Sequence, residues 1–260
     1  KVKKPLIHHI TNVVTINDCA NVTLALGASP VMADEGKEAA EMTAIANALV
    51  INMGTLSERT VASMLSSGKA ANTNGIPVIF DPVGVGATHF RLQMAKQLLN
   101  AIRFTVIRGN ISEIKALAGL EAHGKGVDAG DTMEDAATVA MTLAKQYDCI
   151  VGVTGKQDII TDGDQIVEIN GGHPMLAQVT GTGCMTNSLI ASCCAVASDS
   201  LTATVAGIFV MGRAGEMSYQ SLQAHEGTGT FRVRLIDAVS LMDLEALQKG
   251  GTIHVHETHH

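Results

Sequence analysis

The sequence contains no tryptophan, and only 3% of its 260 residues are aromatic although 46% are apolar. A core without large rings has to be filled by Ala, Val, Ile, Leu and Met at short helix-to-sheet distances, as in a layered α/β protein. A surplus of positive charge is also missing, since 18 Lys and Arg stand against 25 Asp and Glu for a net charge of −7. Scattered bases on an acidic chain argue against nucleic acid as a partner, because affinity for a phosphate backbone comes from clustered cations. No apolar run reaches the ~18 residues of a membrane span, so no membrane partner is expected. The basic KVKK is followed by PLIHHITN rather than by an apolar stretch, which argues against a secretory signal. The five cysteines (Cys19, Cys149, Cys184, Cys193 and Cys194) form no CxxC pair and no small-domain disulfide framework. That pattern predicts a reduced, cytoplasmic protein.

What is present is an alternation of short β-type runs with longer helical stretches. ALVINMG (48–54), PVIFDPVG (77–84), FTVIRGN (104–110) and CIVGVTG (149–155) are continuously apolar and end on Gly or Asn. Continuous rather than alternating apolar strands are buried on both faces, which implies a mostly parallel sheet. Apolar residues at i, i+3, i+4 spacing in the intervening segments predict the crossover helices. DIITDGDQIVEIN (158–170) reads as a hairpin turning at Asp162-Gly163-Asp164, and the chain from 183 onward as helical. Ser57, Ser112 and Asp131 are candidate N-caps. The absence of linkers and repeats predicts one domain over 1–260, with the His-rich tail from about 250 to 260 frayed.

Ligands of open α/β sheets gather beyond the carboxyl ends of the strands, and four such ends carry unusual polar residues. In DPVGVGATHF, Asp81 closes a strand, while Gly84 and Gly86 let the backbone pass close to a ligand. In RGNISEI, Arg108 offers a planar fork for phosphate oxygens, and Asn110 and Glu113 offer hard oxygens for Mg²⁺ and its waters. The plainer alternative there is a helix start capped by Ser112 with Glu113 complementing the dipole. VTGK (153–156) ends a strand on Thr154 but lacks the second Gly and the Ser/Thr of a P-loop. In VTGTGC, Gly181 and Gly183 precede a helix beginning near Cys184, so that free amides and the positive dipole end can form an anion site.

In this order, DPVGVGA, RGNISE, VTGK and VTGTGC resemble the ribokinase-like superfamily of small-molecule kinases. HHITNVVTINDCANVTLALGASPVMADE (8–35) and ALVINMGTL (48–56) narrow the resemblance to the hydroxyethylthiazole kinase family, from about His8 to Asp243. The resemblance implies a three-layer α/β/α fold with a mostly parallel central sheet, assembled as a homotrimer with active sites at subunit contacts. It also implies ATP- and Mg²⁺-dependent phosphorylation of the primary alcohol of 4-methyl-5-(2-hydroxyethyl)thiazole, in thiamin biosynthesis and salvage. By the same match, Asn12 and the backbone at Val14 orient the thiazole. Met32 lies against its ring, and Gly181 closes the substrate end of the pocket. Arg108, Asn110 and Thr154 contact ATP, Asp81 and Glu113 hold Mg²⁺, and Gly181, Gly183 and Cys184 form the catalytic turn.

Relatives in the wider superfamily place an aspartate where this chain has Cys184. No neighbouring motif supplies an activating His or the third member of a triad, which argues against a covalent phosphocysteine. The thiol is expected either to accept the alcohol proton weakly and late or to shape the pocket. A pyridoxal- or pyrimidine-type kinase would be expected to carry Asp at that position and to lack GASPVM. A dinucleotide-binding oxidoreductase would need a GxGxxG after an early strand, which is absent. A non-catalytic binding protein would not need Asp81 and Glu113 together with a phosphate turn.

Overall fold

The computed structural model describes residues 2–120 and 133–257. Among the described residues nine strands form one sheet, in the order β2-β1-β3-β4-β5-β6-β7-β8-β9, with β9 at Thr252–Glu257. The parallel part comprises β1 (Leu6–Ile10), β2 (Ser29–Val31), β3 (Ala48–Asn52), β4 (Val78–Asp81), β5 (Val106–Gly109) and β6 (Ile150–Val153). The predicted hairpin is present as β7 (Asp158–Thr161) and β8 (Gln165–Asn170), and both pair antiparallel.

The continuous apolar strands are explained by two-sided burial. In β3, Leu49 and Ile51 face one hydrophobic core and Ala48 and Val50 another. After α1 (Ile16–Leu26) and α2 (Ala39–Ala44), the first core is closed by α3 (Glu58–Thr73), α4 (His89–Ala101), α5 (Ile111–Leu117) and α6 (Met133–Tyr147). The second is closed by α7 (Thr182–Cys194) and α8 (Ser200–Gln220). A further cluster joins these two helices to an earlier one (Ile16–Leu26) and a later one (Thr228–Ser240). The sheet is thus covered on both faces, as the three-layer reading expects. No helix of the described residues is long and apolar enough to cross a membrane.

Three expectations need correction. The start of α5 is capped by Asn110, whose Oδ1 accepts the Glu113 amide at 2.9 Å while the Glu113 carboxylate accepts the Asn110 amide. Ser112 is therefore inside the helix rather than its cap. Ser57 does cap α3, in a reciprocal box with Thr60 rather than with a Glu. The chain after 183 is not all helical, and its tail is not frayed through 257. Thr252–Glu257 forms β9, which pairs antiparallel with β8 over six residues and satisfies that edge strand. Asp131 lies outside the described residues.

Candidate active site

Because β1, β3, β4, β5 and β6 run parallel, their carboxyl ends meet along one edge of the sheet. Asn12 lies just beyond β1, Asn52 and Asp81 end β3 and β4, Arg108 lies near the end of β5, and Thr154 follows β6. Asn52 and Asp81 are register partners in neighbouring strands, which brings their side chains side by side. The Asn52 amide donates to Asp81 Oδ2 at 2.5 Å and to Cys184 Sγ at 3.2 Å. The Asn12 amide donates to Asn52 Oδ1 at 2.9 Å and to the same sulfur at 3.3 Å. The first turn of α7 is thereby tied to the ends of β1 and β3, and through Asn52 to that of β4.

Asp81 is only 2% exposed. Burial pushes its carboxyl up to about 6, the nearby Arg108 charge acts against this, and the Glu113 charge adds to it. Hydrogen bonds from Asn187 and Asn52 favour the ionised form. Glu113 is held by backbone amides on both oxygens, with Gly84 donating to Oε1 and Asn110 to Oε2, each at 2.9 Å. Burial also raises the Cys184 thiol, and the Asp81 charge raises it further. A thiol so placed stays neutral near pH 7.

The phosphate end is built around Arg108, which donates to the Thr154 hydroxyl. Its Nε is buried without a hydrogen-bond partner, as is Oδ1 of the buried Asn187 one turn along α7. A Cβ on Gly183 would come within 2.8 Å of the Arg108 guanidinium, so glycine keeps that approach open. Gly181 precedes α7 with φ +88, and a Cβ there would meet Thr15 Cγ2 at 2.5 Å. No side chain caps this helix start, which leaves its first amides to face a ligand. Asp158, half-buried beside Arg108, is pushed up to about 6 by burial, against the Gly155 amide that donates to it and the Arg108 charge.

The structure therefore brings Asn12, Asp81, Cys184, Gly181, Gly183, Arg108 and Thr154 to one edge, with Asn110 and Glu113 beside them through the loop at Gly84. Val14 is exposed, and its amide donates to Asn12 Oδ1 at 3.1 Å. Met32 is half-buried and directly follows β2, the strand beside β1. Sequence reasoning missed Asn52, Asn187 and Thr15. For Asn52 a signal existed, a polar amide ending the apolar strand ALVIN. Asn187 sat inside an apparently unremarkable small-residue helix.

The profile of the Hydroxyethylthiazole kinase family matches residues 1–245. The chain is 53% identical over 244 residues to hydroxyethylthiazole kinase of Ruminiclostridium cellulolyticum, covering 93% of this chain and 89% of that protein. It is 51% identical over 255 residues to the enzyme of the same name from Alkaliphilus metalliredigens, covering 98% and 94%. Among solved structures, the hydroxyethylthiazole kinase protein of Pyrococcus horikoshii superposes with a TM-score of 0.89 at 36% identity, covering 98% of this chain and 95% of that one. The pyridoxal kinase of Staphylococcus aureus in complex with ADP matches at 0.68 and 15% identity, covering 98% of this chain and 99% of that one; this likeness concerns the fold alone.

Proposed function

The chain belongs to the hydroxyethylthiazole kinase family, and from that premise we propose how its site carries out the reaction. It phosphorylates the primary alcohol of 4-methyl-5-(2-hydroxyethyl)thiazole with ATP, in thiamin biosynthesis and salvage. The observation that carries the site assignment is the convergence of Asp81, Arg108 and the uncapped start of α7 on one sheet edge.

Phosphoryl transfer demands alignment and neutralisation of charge more than covalent help from the protein. Arg108 and Thr154, with Asn110 beside them, hold the ATP phosphates. The orphaned Arg108 Nε gives a phosphate oxygen a donor already desolvated. The amides from Gly181 to Cys184 receive the charge of the transferring group, and one such donor is worth about 3 kcal/mol in the barrier. Asn12, the backbone at Val14, Met32 and Gly181 form the thiazole end. The alcohol oxygen forms the new P–O bond as the bond from the γ-phosphorus to the bridging oxygen breaks, that oxygen leaves with ADP, and the alcohol proton passes late to an oxygen of the transferred phosphoryl group. Cys184, held neutral and accepting two amide hydrogens, lines the attacking oxygen's position without becoming phosphorylated.

The donor set fits a hard divalent cation, since the Glu113 charge adds to the cost of ionising the buried Asp81 and a cation relieves it. Asp81 and Glu113 would hold Mg²⁺, directly or through water, using the lone pairs that their amide partners leave. When bound, the ion neutralises charge on the phosphates.

Residues 1–260 make up a single ribokinase-like domain of a cytoplasmic homotrimer with sites at subunit contacts. The exposed apolar Val13, Val14 and Ile16, next to Asn12, support a subunit contact there. The test is ADP release with the thiazole alcohol, pyridoxal or hydroxymethylpyrimidine as acceptor, at varied Mg²⁺, alongside the mass in solution. Turnover with pyridoxal or the pyrimidine but none with the thiazole alcohol would refute the substrate assignment.

A further inference from the structure

The carboxamide of Asn52 is fixed from both sides, and its orientation follows from the backbone. Gly54 N–H donates to one side-chain atom of Asn52 at 2.8 Å, which identifies that atom as the oxygen. The Asn12 side chain is oriented in the same way, because the Val14 and Thr15 amides both donate to its Oδ1 at 3.1 Å. Its nitrogen then donates to Asn52 Oδ1, at 2.9 Å. With the oxygen doubly occupied, the two Asn52 hydrogens face Asp81 Oδ2 and Cys184 Sγ. The residue is 2% exposed, so water does not compete for these bonds.

We propose that Asn52 is a positioning residue for phosphoryl transfer, a single carboxamide that locks the carboxylate on the metal side to the sulfur on the alcohol side. The inference rests on the kinase reading above. It follows from the register of β3 and β4, which sets Asn52 beside Asp81, and from the first turn of α7, which brings Cys184 onto the same amide. Asn52 makes no hydrogen bond to Arg108 or Thr154, so its loss leaves the nucleotide contacts standing.

Asn52→Asp is the discriminating variant. It keeps the acceptor used by Gly54 and Asn12 and, when ionised, removes both donors, while Asn52→Ala removes the donors without adding a charge beside Asp81. The expected result is a kcat lowered about 30-fold or more, with KM for ATP and for the alcohol within about threefold of the parent. Alkylation of Cys184 by iodoacetamide in metal-free protein, followed on its peptide by mass spectrometry, should slow by about threefold or more. A kcat within about threefold of the parent, or a parallel loss of kcat, ATP affinity and Tm, overturns the proposal. If the aspartate variant does not fold, Asn52→Ala, which removes both donors, carries the kcat comparison. Parental ADP release with the thiazole alcohol tests the kinase reading separately, and the alkylation comparison stands whether or not that reading does.

Discussion

Replacing Asp81 by Asn should stabilise the metal-free protein while lowering its activity steeply. The carboxyl titrates at about 6 in the folded chain against 3.8 as its ordinary value, chiefly because burial penalises the charged form. An acid whose folded pKa is raised binds more protons folded than unfolded between those two values. Its favourable contribution is complete below pH 3.8 and is lost as the pH rises through 6. At neutral pH and above the ionised group costs up to about 3 kcal/mol. Asn cannot ionise, so the stability difference between variant and parent should grow by about 2 kcal/mol between pH 4.5 and pH 8. The new amide also has an acceptor within reach of the site, since Asn187 Oδ1 is buried without a partner and the Asn187 side chain hydrogen-bonds Asp81. Urea unfolding with chelator present and nucleotide absent, at pH 4.5, 6 and 8, measures the difference. A gap that is independent of pH, or that shrinks as pH rises, would refute the reasoning. The same variant should lose about 100-fold or more in kcat, because charge is removed where the transferring group and its counter-ion are held.

Cys184→Ala should retain measurable turnover and Cys184→Asp should remain an active kinase if the half-buried thiol, raised by burial and by Asp81, works without becoming a nucleophile; complete loss in a folded, ATP-binding Ala variant would point to an essential thiolate. Gly181→Ala should lower kcat and cost about 2 kcal/mol or more in urea unfolding, since φ is +88 and the new methyl meets Thr15; a variant as stable as the parent would contradict that geometry. Arg108→Lys should raise KM for ATP about tenfold while leaving the affinity for the thiazole alcohol near its parental value, which calorimetry on each ligand separates.

The parallel sheet was readable because two-sided burial makes a strand apolar at every position, as ALVIN and VIFD show. The short β2 and the LIHHI of β1 were less visible, since two histidines interrupt the latter. Both are buried and satisfied in the structure. His8 bonds to Thr43 and to the Ala33 carbonyl, and His9, lowered to about 4 by burial, bonds to Ser188. Polar residues of this kind look like breaks in a strand until their partners, 25 to 179 residues away, are known. The β9 strand was missed for a related reason. TIHVHE has the alternation of a strand, but its stability comes from pairing with β8 across more than 80 residues of chain.

Motif order singled out the glycine turn at Gly181–Gly183 and the carboxylates Asp81 and Glu113, since strand ends and glycine turns are local features. The coupling among them is not local. Asn52 and Asp81 meet through strand register, and Cys184 joins them only after α7 has packed across the sheet. A sequence reader sees Cys184 as a lone thiol standing where an acid is expected, and asks what it does by itself. In the structure its sulfur is a shared acceptor for two carboxamides whose orientations are set by backbone amides at Gly54, Val14 and Thr15. Its protonation is set by burial and by Asp81. The chemistry of that position therefore belongs to the Asn12–Asn52–Asp81 network as much as to the sulfur. On that reasoning an aspartate at 184 would be fully served by the same two amides, each of which would bind a carboxylate oxygen more strongly than it binds sulfur. The donor network that accommodates Cys184 is thus the one that would support the acidic residue of the wider superfamily, and exchanging the two residues should change the protonation of this position more than its geometry.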